Sequence, residues 1–396
     1  MARFNYKEIK SDYDKLRKEG REQLVFDALE SNIEDGSIKP REFNIKECFL
    51  ETVEGGSEML RSWSRGHEVN LMEAGNPTDA FGRITERVIR GEVMEGSQDP
   101  AFLGDQLITT RPTDAYDGER LPGMTRLGNA SEEVGIGQPF PETTFTEDYI
   151  DLPATVKKGN IVSLAKEHIM ADRTALLLDR AREVGYWLGY DKELRIMNCV
   201  TGSDGATYKR RERTAASVYG DNSGSHDWDN LAASNALYDW TDIEAAELLF
   251  DAMTDPNTGE PILLMPNVIL VPTALKHTAR RIVSATQIEH VSGLFDNDAA
   301  TGNEDNRLRT QSANTLDAYT ILSSQLVKKV TTSASTWYIG DPKRAFQYRE
   351  NWPVTVAQQG AGSESEFTKD IVMRFKASER GVCVPIEPRF MVKCTA

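Results

Sequence analysis

Residues 337–353 have the sequence Trp-Tyr-Ile-Gly-Asp-Pro-Lys-Arg-Ala-Phe-Gln-Tyr-Arg-Glu-Asn-Trp-Pro, and residues 367–381 have the sequence Phe-Thr-Lys-Asp-Ile-Val-Met-Arg-Phe-Lys-Ala-Ser-Glu-Arg-Gly. In the second stretch two sets of residues alternate, namely Ile371, Met373, Phe375 and Ala377 with Val372, Arg374, Lys376 and Ser378. This period of two predicts a strand with one apolar and one cationic face. We expect turns on either side, at residues 340–342 and 379–381. Neither stretch contains a nucleophile or a ligand cluster, which favours a structural protein over an enzyme.

The length of the chain, 396 residues, exceeds the usual size of a single core, so we expect two or more lobes. The longest apolar stretches, such as residues 262–265 and 268–271, are far shorter than the roughly 20 residues of a membrane helix. Residues 1–10 lack the apolar core of a signal peptide. We therefore expect a cytoplasmic product without a membrane partner.

The cysteine spacing and the net charge argue against further kinds of site and of binding. Cys48, Cys199, Cys383 and Cys394 show no Cys-x-x-Cys spacing, which argues against a zinc site and, in a cytosolic chain, against disulfides. The net charge of -16 opposes non-specific binding to DNA, because such binding requires Lys and Arg to neutralise phosphates.

The N-terminal third is predicted to be helical. Residues 7–29 have helical periodicity with a break near Gly20, and a second helix opens after Pro77 with Phe81, Ile84 and Val88 facing inward. Residues 111–147 are rich in Gly and Pro, which is typical of an extended hairpin that gains order from another subunit, although a surface loop remains an alternative.

The middle of the chain is predicted to contain a hairpin and a long helix. Two apolar runs, 149–156 and 160–164, are joined by Lys-Lys-Gly at 157–159. Asp172 is predicted to cap a helix of roughly 40 Å that ends near Val200 and buries more than one side. The aromatic residues Tyr186, Trp187 and Tyr190 lie away from its main apolar face.

The remaining segments predict an α+β lobe. Residues 202–240 are polar and irregular, and a capping box at 241–244 opens a helix that ends near Met253. A buried strand at 267–271 is followed by a helix at 274–284. Helix, strand, helix and closing strands indicate an α+β fold.

This order of parts resembles the major capsid protein of tailed bacteriophages, the Hong Kong ninety-seven type fold. Four stretches carry the resemblance: residues 156–172, 266–275, 337–353 and 367–390. The resemblance implies a helical N-terminal arm (1–110), an extended β-hairpin loop (111–147), a peripheral domain with a long spine helix (148–201) and an axial α+β domain (202–335). Return strands (336–396) would complete the axial and peripheral domains.

The function implied by the resemblance is structural. Many copies would self-assemble, as pentamers and hexamers, into an icosahedral head that encloses double-stranded DNA without sequence-specific binding. Portal, scaffolding or decoration proteins would be partners, and the chain would be part of the virion after assembly in the host cytoplasm. Two alternatives remain open. An encapsulin-like nanocompartment would enclose an enzyme in place of DNA, and an α+β hydrolase would be a small soluble species.

Two departures from the family pattern lead to expectations about the shell. Some relatives join a lysine of the extended loop to an asparagine of a neighbour, but this chain has no lysine between Lys46 and Lys157. We therefore expect a shell without covalent cross-links, which a denaturing gel of mature particles tests. Relatives also often lose an N-terminal segment to a protease. Because this sequence begins at Met1, we expect assembly without removal of the arm, which intact mass tests.

Candidate inter-subunit contacts are charged residues on the extended loop, on the one dense basic cluster and on the cationic face of the closing strand. They are Arg120, Arg126, Glu132, Glu133, Lys209, Arg210, Arg211, Arg374 and Lys376. The basic cluster at 209–213 could instead contact phosphate, but the acidic chain around it favours an exposed loop or an inter-subunit site.

The remaining patterns predict neither a catalytic site nor a cofactor. Acidic residues at 296–305 have oxygens of the kind that Ca²⁺ binds, but their spacing does not match an EF-hand, so a solvated loop is the preferred interpretation. His277 and Ser284 lie near Asp296 in sequence, yet no Gly-x-Ser-x-Gly nucleophile elbow occurs.

Overall fold

The computed structural model describes most of the chain. The described residues are 5–21, 23–35, 38–53, 55–65, 78–127, 134–137, 144–205, 207–209, 215–223, 228–254, 261–284, 319–359 and 370–396. Within these ranges, no helix combines the length and the apolar character that crossing a membrane would require.

Helices occupy the N-terminal segment and join the strands. They are α1 (Tyr6–Lys18), α2 (Gln23–Glu34), α3 (Ile45–Thr52), α4 (Gly56–Ser64), α5 (Thr78–Ser97), α6 (Gly104–Leu107), α7 (Lys166–Met170), α8 (Thr174–Thr201), α9 (Trp240–Asp251), α10 (Lys276–Val283), α11 (Gln325–Thr331) and α12 (Pro342–Ala345). Short 3-10 helices occur at Pro40–Glu42, Thr273–Leu275 and Pro388–Phe390.

Strands form two main sheets and two strand pairs. They are β1 (Thr109–Pro112), β2 (Glu119–Leu127), β3 (Thr144–Leu152), β4 (Val156–Ala165), β5 (Thr207–Tyr208), β6 (Ala216–Ser217), β7 (Leu231–Ala232), β8 (Val268–Pro272), β9 (Thr320–Ser324), β10 (Trp337–Gly340), β11 (Phe346–Gln359), β12 (Ile371–Pro385) and β13 (Met391–Cys394). The first sheet has the order β1-β11-β12-β4, and the second has the order β7-β13-β10-β8-β9. The pairs are β2-β3 and β5-β6.

The closing strand β12 is the centre of the first sheet, where it pairs antiparallel with both β11 and β4. The predicted strand is therefore confirmed, but the turn predicted at 379–381 is wrong, because β12 continues through it. Gly381 pairs with Glu350 on one side and Val156 on the other. A Cβ at Gly381 would lie 2.6 Å from the ring of Tyr348. Glycine is needed at this position because a side chain would collide with the ring of Tyr348. The sequence alone does not show whether a glycine serves a turn or a close contact of this kind.

The hairpin predicted across residues 157–159 is also wrong. The strand β3 pairs with β2, whereas β4 runs straight through Lys-Lys-Gly and pairs with β12. A Cβ at Gly159 would approach the carbonyl oxygen of Ala377 to 2.8 Å. This glycine permits close approach of two strands, so its presence beside two lysines does not mark a turn.

The alternation predicted for β12 holds in the middle of the strand. Met373, Phe375 and Ala377 are buried in the core, and Lys376 is exposed between them. At the start of the strand Val372 is also buried, because the register with β4 shifts between Ile371 and Met373. The cationic face is consequently shorter than the sequence pattern implies.

The long helix α8 has 28 residues, which corresponds to about 42 Å and confirms the predicted length. The predicted cap is wrong by one position. Arg173 occupies the N-cap, and Asp172 adopts a left-handed conformation with φ of 48°. The Asp172 carboxylate accepts hydrogen bonds from the Thr174 hydroxyl (2.8 Å) and the Asn44 side-chain amide (2.9 Å). It thereby joins the N-terminal segment to the start of α8.

The N-terminal helices follow the sequence prediction. The first helical pattern divides into α1 and α2 around Gly20, whose φ is 67°. In α5, Phe81, Ile84 and Val88 are completely buried. These side chains belong to one core with residues of α8, β4 and β12. The described part of the N-terminal segment is therefore packed onto the first sheet of its own chain.

Glycine allows the N-terminal segment to contact α8 at backbone distance. A Cβ at Gly185 of α8 would lie 2.0 Å from the carbonyl oxygen of Val93, and one at Gly96 of α5 would lie 2.2 Å from that of Arg182. No larger residue fits at either position without separating the helices. The crossing of α5 and α8 is thus fixed by close backbone contact.

The second sheet has its core on both faces. Trp337, Tyr338 and Ile339 of β10 are completely buried between α9 and α10 on one side and the end of α8 on the other. The predicted strand β8 and helix α10 are confirmed. The helix α9 begins earlier than predicted, because Asp239 is its N-cap and accepts a 2.8 Å hydrogen bond from the Thr241 amide.

Candidate inter-subunit surfaces

The β2-β3 pair forms a two-stranded hairpin whose base is held by Arg380. The Arg380 side chain donates to the Thr155 hydroxyl (2.8 Å) and to the carbonyl oxygens of Thr155 (3.2 Å) and Tyr116 (3.4 Å). Its guanidinium also lies 4.5 Å from the ring centre of Tyr116 and 5.9 Å from that of Trp352. The sequence placed Arg380 in a turn and so missed its role. It anchors a hairpin that pairs with no other strand of the described chain.

Two predicted contact residues meet on the hairpin. Arg120 donates to the Asp151 carboxylate at 3.0 Å, and the Lys209 ammonium lies 3.9 Å from the other oxygen of that carboxylate. The Arg120 guanidinium is 4.7 Å from the ring centre of Tyr149, and 70% of the Arg120 side chain is exposed. Exposed ion pairs contribute only about 0–1 kcal/mol. These charges can therefore be redirected to another chain at little cost in stability.

The other two described candidates, Lys376 and Arg374, lie on the closing strand β12 and differ in their exposure. Lys376 is exposed, and the ion pairs of the described residues do not include it. Arg374 is half-buried, and its Nε is buried without a hydrogen-bond partner among the described residues. Lys376 is thus available for contact, whereas changing Arg374 would also disturb the sheet.

Several candidates cannot be placed. Only the backbone of Arg126 is described, within β2. Glu132, Glu133, Arg210 and Arg211 lie outside the described residues, as does the acidic stretch 296–305.

A group of aromatic side chains on α8 forms a surface that we did not choose as a candidate contact from the sequence. Tyr186 and Trp187 have 37% and 51% of their surfaces exposed, and both rings pack against Tyr190. The ring centre of Phe102 lies 5.6 Å from that of Tyr186. The prediction that α8 buries more than one side is correct for its aliphatic residues, but the aromatic ones face solvent. The signal in the sequence was the spacing of Tyr186, Trp187 and Tyr190, which places all three within about one turn of the helix.

The second sheet also leaves large apolar side chains uncovered. They are Tyr238 (75% exposed), Leu248 (59%), Leu263 (89%) and Met265 (85%). Single exposed apolar residues are ordinary on a soluble protein. Four such side chains on the α9 side of one lobe are typical of a surface that a partner covers.

A buried carboxylate fixes the loop that leads from α5 to the first sheet. Glu193 of α8 accepts hydrogen bonds from the backbone amides of Leu103 (2.9 Å) and Gly104 (2.7 Å). Burial raises the pKa of Glu193 above its usual range, and the two hydrogen bonds oppose this shift without cancelling it. The loop is therefore held rigidly against α8, which positions Phe102 in the aromatic surface.

Of the residues considered for hydrolytic chemistry, Asp296 lies outside the described residues, and the described Ser284 has a structural contact. The Ser284 hydroxyl donates to the backbone oxygen of Arg280 at 2.5 Å, so it completes the end of α10. Among the described residues there is no group of three or more His, Cys, Asp or Glu side chains that could hold a metal ion. The four cysteines are buried free thiols.

Comparison with known families identifies the family of the chain. The family described as phage capsid protein matches residues 149–394, which is more than half of the chain and includes α8, the closing strands and every strand of the two main sheets except β1. The chain belongs to the phage capsid protein family. The family is structural, which favours a shell protein over the hydrolase alternative. No curated protein sequence matches the chain.

The solved structures that are similar to this chain share little of its sequence. The capsid protein of cyanophage P-SCSP1u is 11% identical, with a TM-score of 0.47, and the alignment covers 75% of this chain and 88% of that one. The mature capsid of bacteriophage PhiM1 is 11% identical, with a TM-score of 0.41 and coverage of 74% and 86%. A virus-like particle from Pyrococcus furiosus is 9% identical, with a TM-score of 0.40 and coverage of 78% and 98%.

Proposed function

We propose that many copies of this capsid protein assemble, as pentamers and hexamers, into an icosahedral head that encloses double-stranded DNA. The observation that carries the proposal is the hairpin β2-β3, which is fixed at its base by Arg380 and carries the exposed side chain of Arg120. A hairpin of two strands alone is marginally stable in water, so contact with a neighbouring subunit would explain its retention. Several modest contacts of this kind make a closed assembly much more stable than each interface alone.

The two sheets suggest how the chain is divided within the shell. The first sheet with α8 as its spine would form the peripheral domain, and the second sheet with α9 and α10 would form the axial domain at the centre of each capsomer. The exposed apolar side chains near α9 support this division, because they lie on the lobe assigned to capsomer centres. Residues 111–147 would form the extended loop over an adjacent subunit.

The charge of the chain supports enclosure of DNA without adhesion to it. A protein with a net charge of -16 gains little from contact with phosphates. Portal, scaffolding or decoration proteins would complete the particle, which would assemble in the host cytoplasm. The absence of lysine between Lys46 and Lys157 supports a shell without covalent cross-links.

Electron microscopy of the purified full chain tests the proposal. We expect closed shells of uniform size that enclose DNA when assembled in infected host cells, and single chains on a denaturing gel. A chain that stays monomeric at high concentration contradicts the shell function. Shells from infected cells that contain an enzyme and no DNA contradict the genome-enclosing function and favour the nanocompartment.

A further inference from the structure

The aromatic surface of α8 forms one wall of a cleft with a volume of about 670 Å³. The cleft lies where three parts of the chain meet: the loop after α5, the middle of α8, and the ends of β8 and β9 with the helices that follow them. Phe102, Tyr186 and Tyr190 supply the aromatic wall, and Lys276 of α10 and Lys329 of α11 also line the cleft. The cleft therefore combines an apolar wall with positive charge.

The charge of the cleft is opposite to that of the chain as a whole. None of the described lining residues is Asp or Glu, although the chain has 62 acidic residues against 46 basic ones. Lys329 donates to the Tyr190 hydroxyl and lies 4.9 Å from the centre of the Tyr190 ring, so its contacts there are with a neutral group. The ion pairs of the described residues include neither Lys276 nor Lys329. An acidic ligand with an apolar or aromatic anchor complements this arrangement.

We propose that the cleft binds an acidic stretch of a second copy of this chain, residues 292–305, with Phe295 as the anchor. The proposal rests on the proposed shell function and names one of its interfaces. Leu294 and Phe295 are followed by Asp296, Asp298, Glu304 and Asp305, so the stretch carries an apolar pair directly before its acids. Residues 285–318 lie outside the described residues, and the argument for them is one of sequence alone.

The ring geometry of the proposed pentamers and hexamers favours supply of this stretch by a neighbour. The cleft contains Ser324 at the end of β9, whereas residues 285–318 rejoin the described chain at Tyr319, before the start of that strand. The two points are separated by the length of β9, about 16 Å at the usual rise per residue, which the residues between Asp305 and Tyr319 could span, so chain length by itself permits either copy to supply the stretch. A contact between different surfaces of two copies is heterologous, and heterologous contacts that close generate rings. A ring is the arrangement that a pentamer or hexamer requires.

Binding of a synthetic peptide tests the chemistry of the cleft. The probe is a fluorescein-labelled peptide of residues 292–305, added to the unassembled full chain and measured by fluorescence anisotropy. We expect the double variant Lys276→Glu/Lys329→Glu to weaken binding about tenfold or more, since attraction becomes repulsion at two positions. The control is Arg280→Glu/Lys328→Glu, which changes exposed residues of the same two helices by the same charge but does not line the cleft. It should bind like the wild type.

Photo-cross-linking tests which copy supplies the stretch. Unlabelled chain with benzoylphenylalanine at position 295 is co-assembled with ¹⁵N-labelled chain, irradiated and digested. We expect cross-links from unlabelled residue 295 to labelled peptides that contain Tyr186 or Lys329. Cross-links confined to one chain, or to other surfaces, overturn the proposal.

These outcomes are distinguishable from failure of the proposed function. If the wild type forms shells, yet the peptide fails to bind or binds both double variants equally, the cleft proposal is wrong and the shell function stands. If the wild type forms no shells by electron microscopy, the shell function fails whatever the peptide does. Circular dichroism of each variant establishes that it is folded before it is compared.

Discussion

Arg195 and Glu379 form an ion pair between α8 and β12, and only 2% of the Glu379 side chain is exposed. Arg195 also donates to the Gly381 carbonyl oxygen at 2.8 Å. A charge buried to this degree requires its partner, because an unpaired charge in the interior is strongly destabilising. The pair therefore joins α8 to β12 inside the core.

Removing one member of this pair should be costly. We expect Glu379→Gln to lower the free energy of unfolding of the unassembled chain by about 3 to 5 kcal/mol, because the Arg195 charge is left buried. Urea denaturation followed by circular dichroism measures the effect. Glu183→Gln is the control, since its ion pair with Arg180 on the same helix is exposed and the change should stay within about 0.5 kcal/mol. Equal effects of the two substitutions would show that the buried pair has no special importance.

The raised pKa of Glu193 predicts how the free energy of unfolding changes with pH. Burial raises its pKa in the folded chain above the ordinary value of 4.5, so the folded state holds the proton more tightly than the unfolded state. The stability that results is fully present below the unfolded pKa and is lost as the pH rises through the folded pKa. We expect the unfolding free energy of the wild type, minus that of Glu193→Gln, to increase when the pH is lowered from 7 toward 4.5. A difference that is constant over this range, measured by urea denaturation, contradicts the assignment.

At the scale of elements, the hairpin β2-β3 and the N-terminal helices are attached to the rest of the chain in different ways. The hairpin is attached at its base, where Arg380 joins residues before β2 and after β3 to the closing strand. The N-terminal helices instead share a core with α8 and the first sheet, and backbone contact at Gly185 leaves no space between α5 and α8. The paired strands β2 and β3 join no other strand of the described chain, whereas the described helices are packed into the core of their own chain.

Loosening the base of the hairpin should be detectable by hydrogen exchange. We expect Arg380→Ala to speed amide exchange in residues 113–127 and 144–155 by about tenfold or more, because three hydrogen bonds from a charged group are lost. Assembly should weaken as well if the hairpin contacts a neighbour. Arg120→Ala is the control, because its exposed ion pair with Asp151 lies on the hairpin itself. Unchanged exchange in the Arg380 variant would rule out the anchoring role.

At the scale of the whole molecule, α8 contributes its first half to the core of the first sheet and its last turns to a core that residues of both sheets share. This helix and the shared core explain how a chain of 396 residues keeps two lobes in a fixed relation. A rigid subunit suits a shell, because the angles between neighbours determine whether the assembly closes.

The shared core predicts that the N-terminal helices are retained in the particle. Tyr13, Phe26, Phe49, Phe81 and Ile84 are buried in the core of the first sheet. Cleavage between residues 5 and 97 followed by loss of the fragment would expose the apolar surface that they cover, so we expect assembled shells to contain the uncleaved segment. Intact mass spectrometry of the shell protein measures this. Mature shells built of chains that begin after residue 97 would contradict it.

The sequence by itself determined the secondary structure wherever one periodicity continued over many residues, as in α5, the 28 residues of α8 and the middle of β12. Together with the order of these elements, this was enough to indicate the capsid family. The tertiary structure alone decided the meaning of the glycines at 159 and 381, because the same residue that permits a turn also permits close approach of another strand or ring. It also decided which charges are buried and which side chains converge on Arg380 and on the aromatic cleft. These depend on contacts between residues far apart in the chain, which local patterns do not encode.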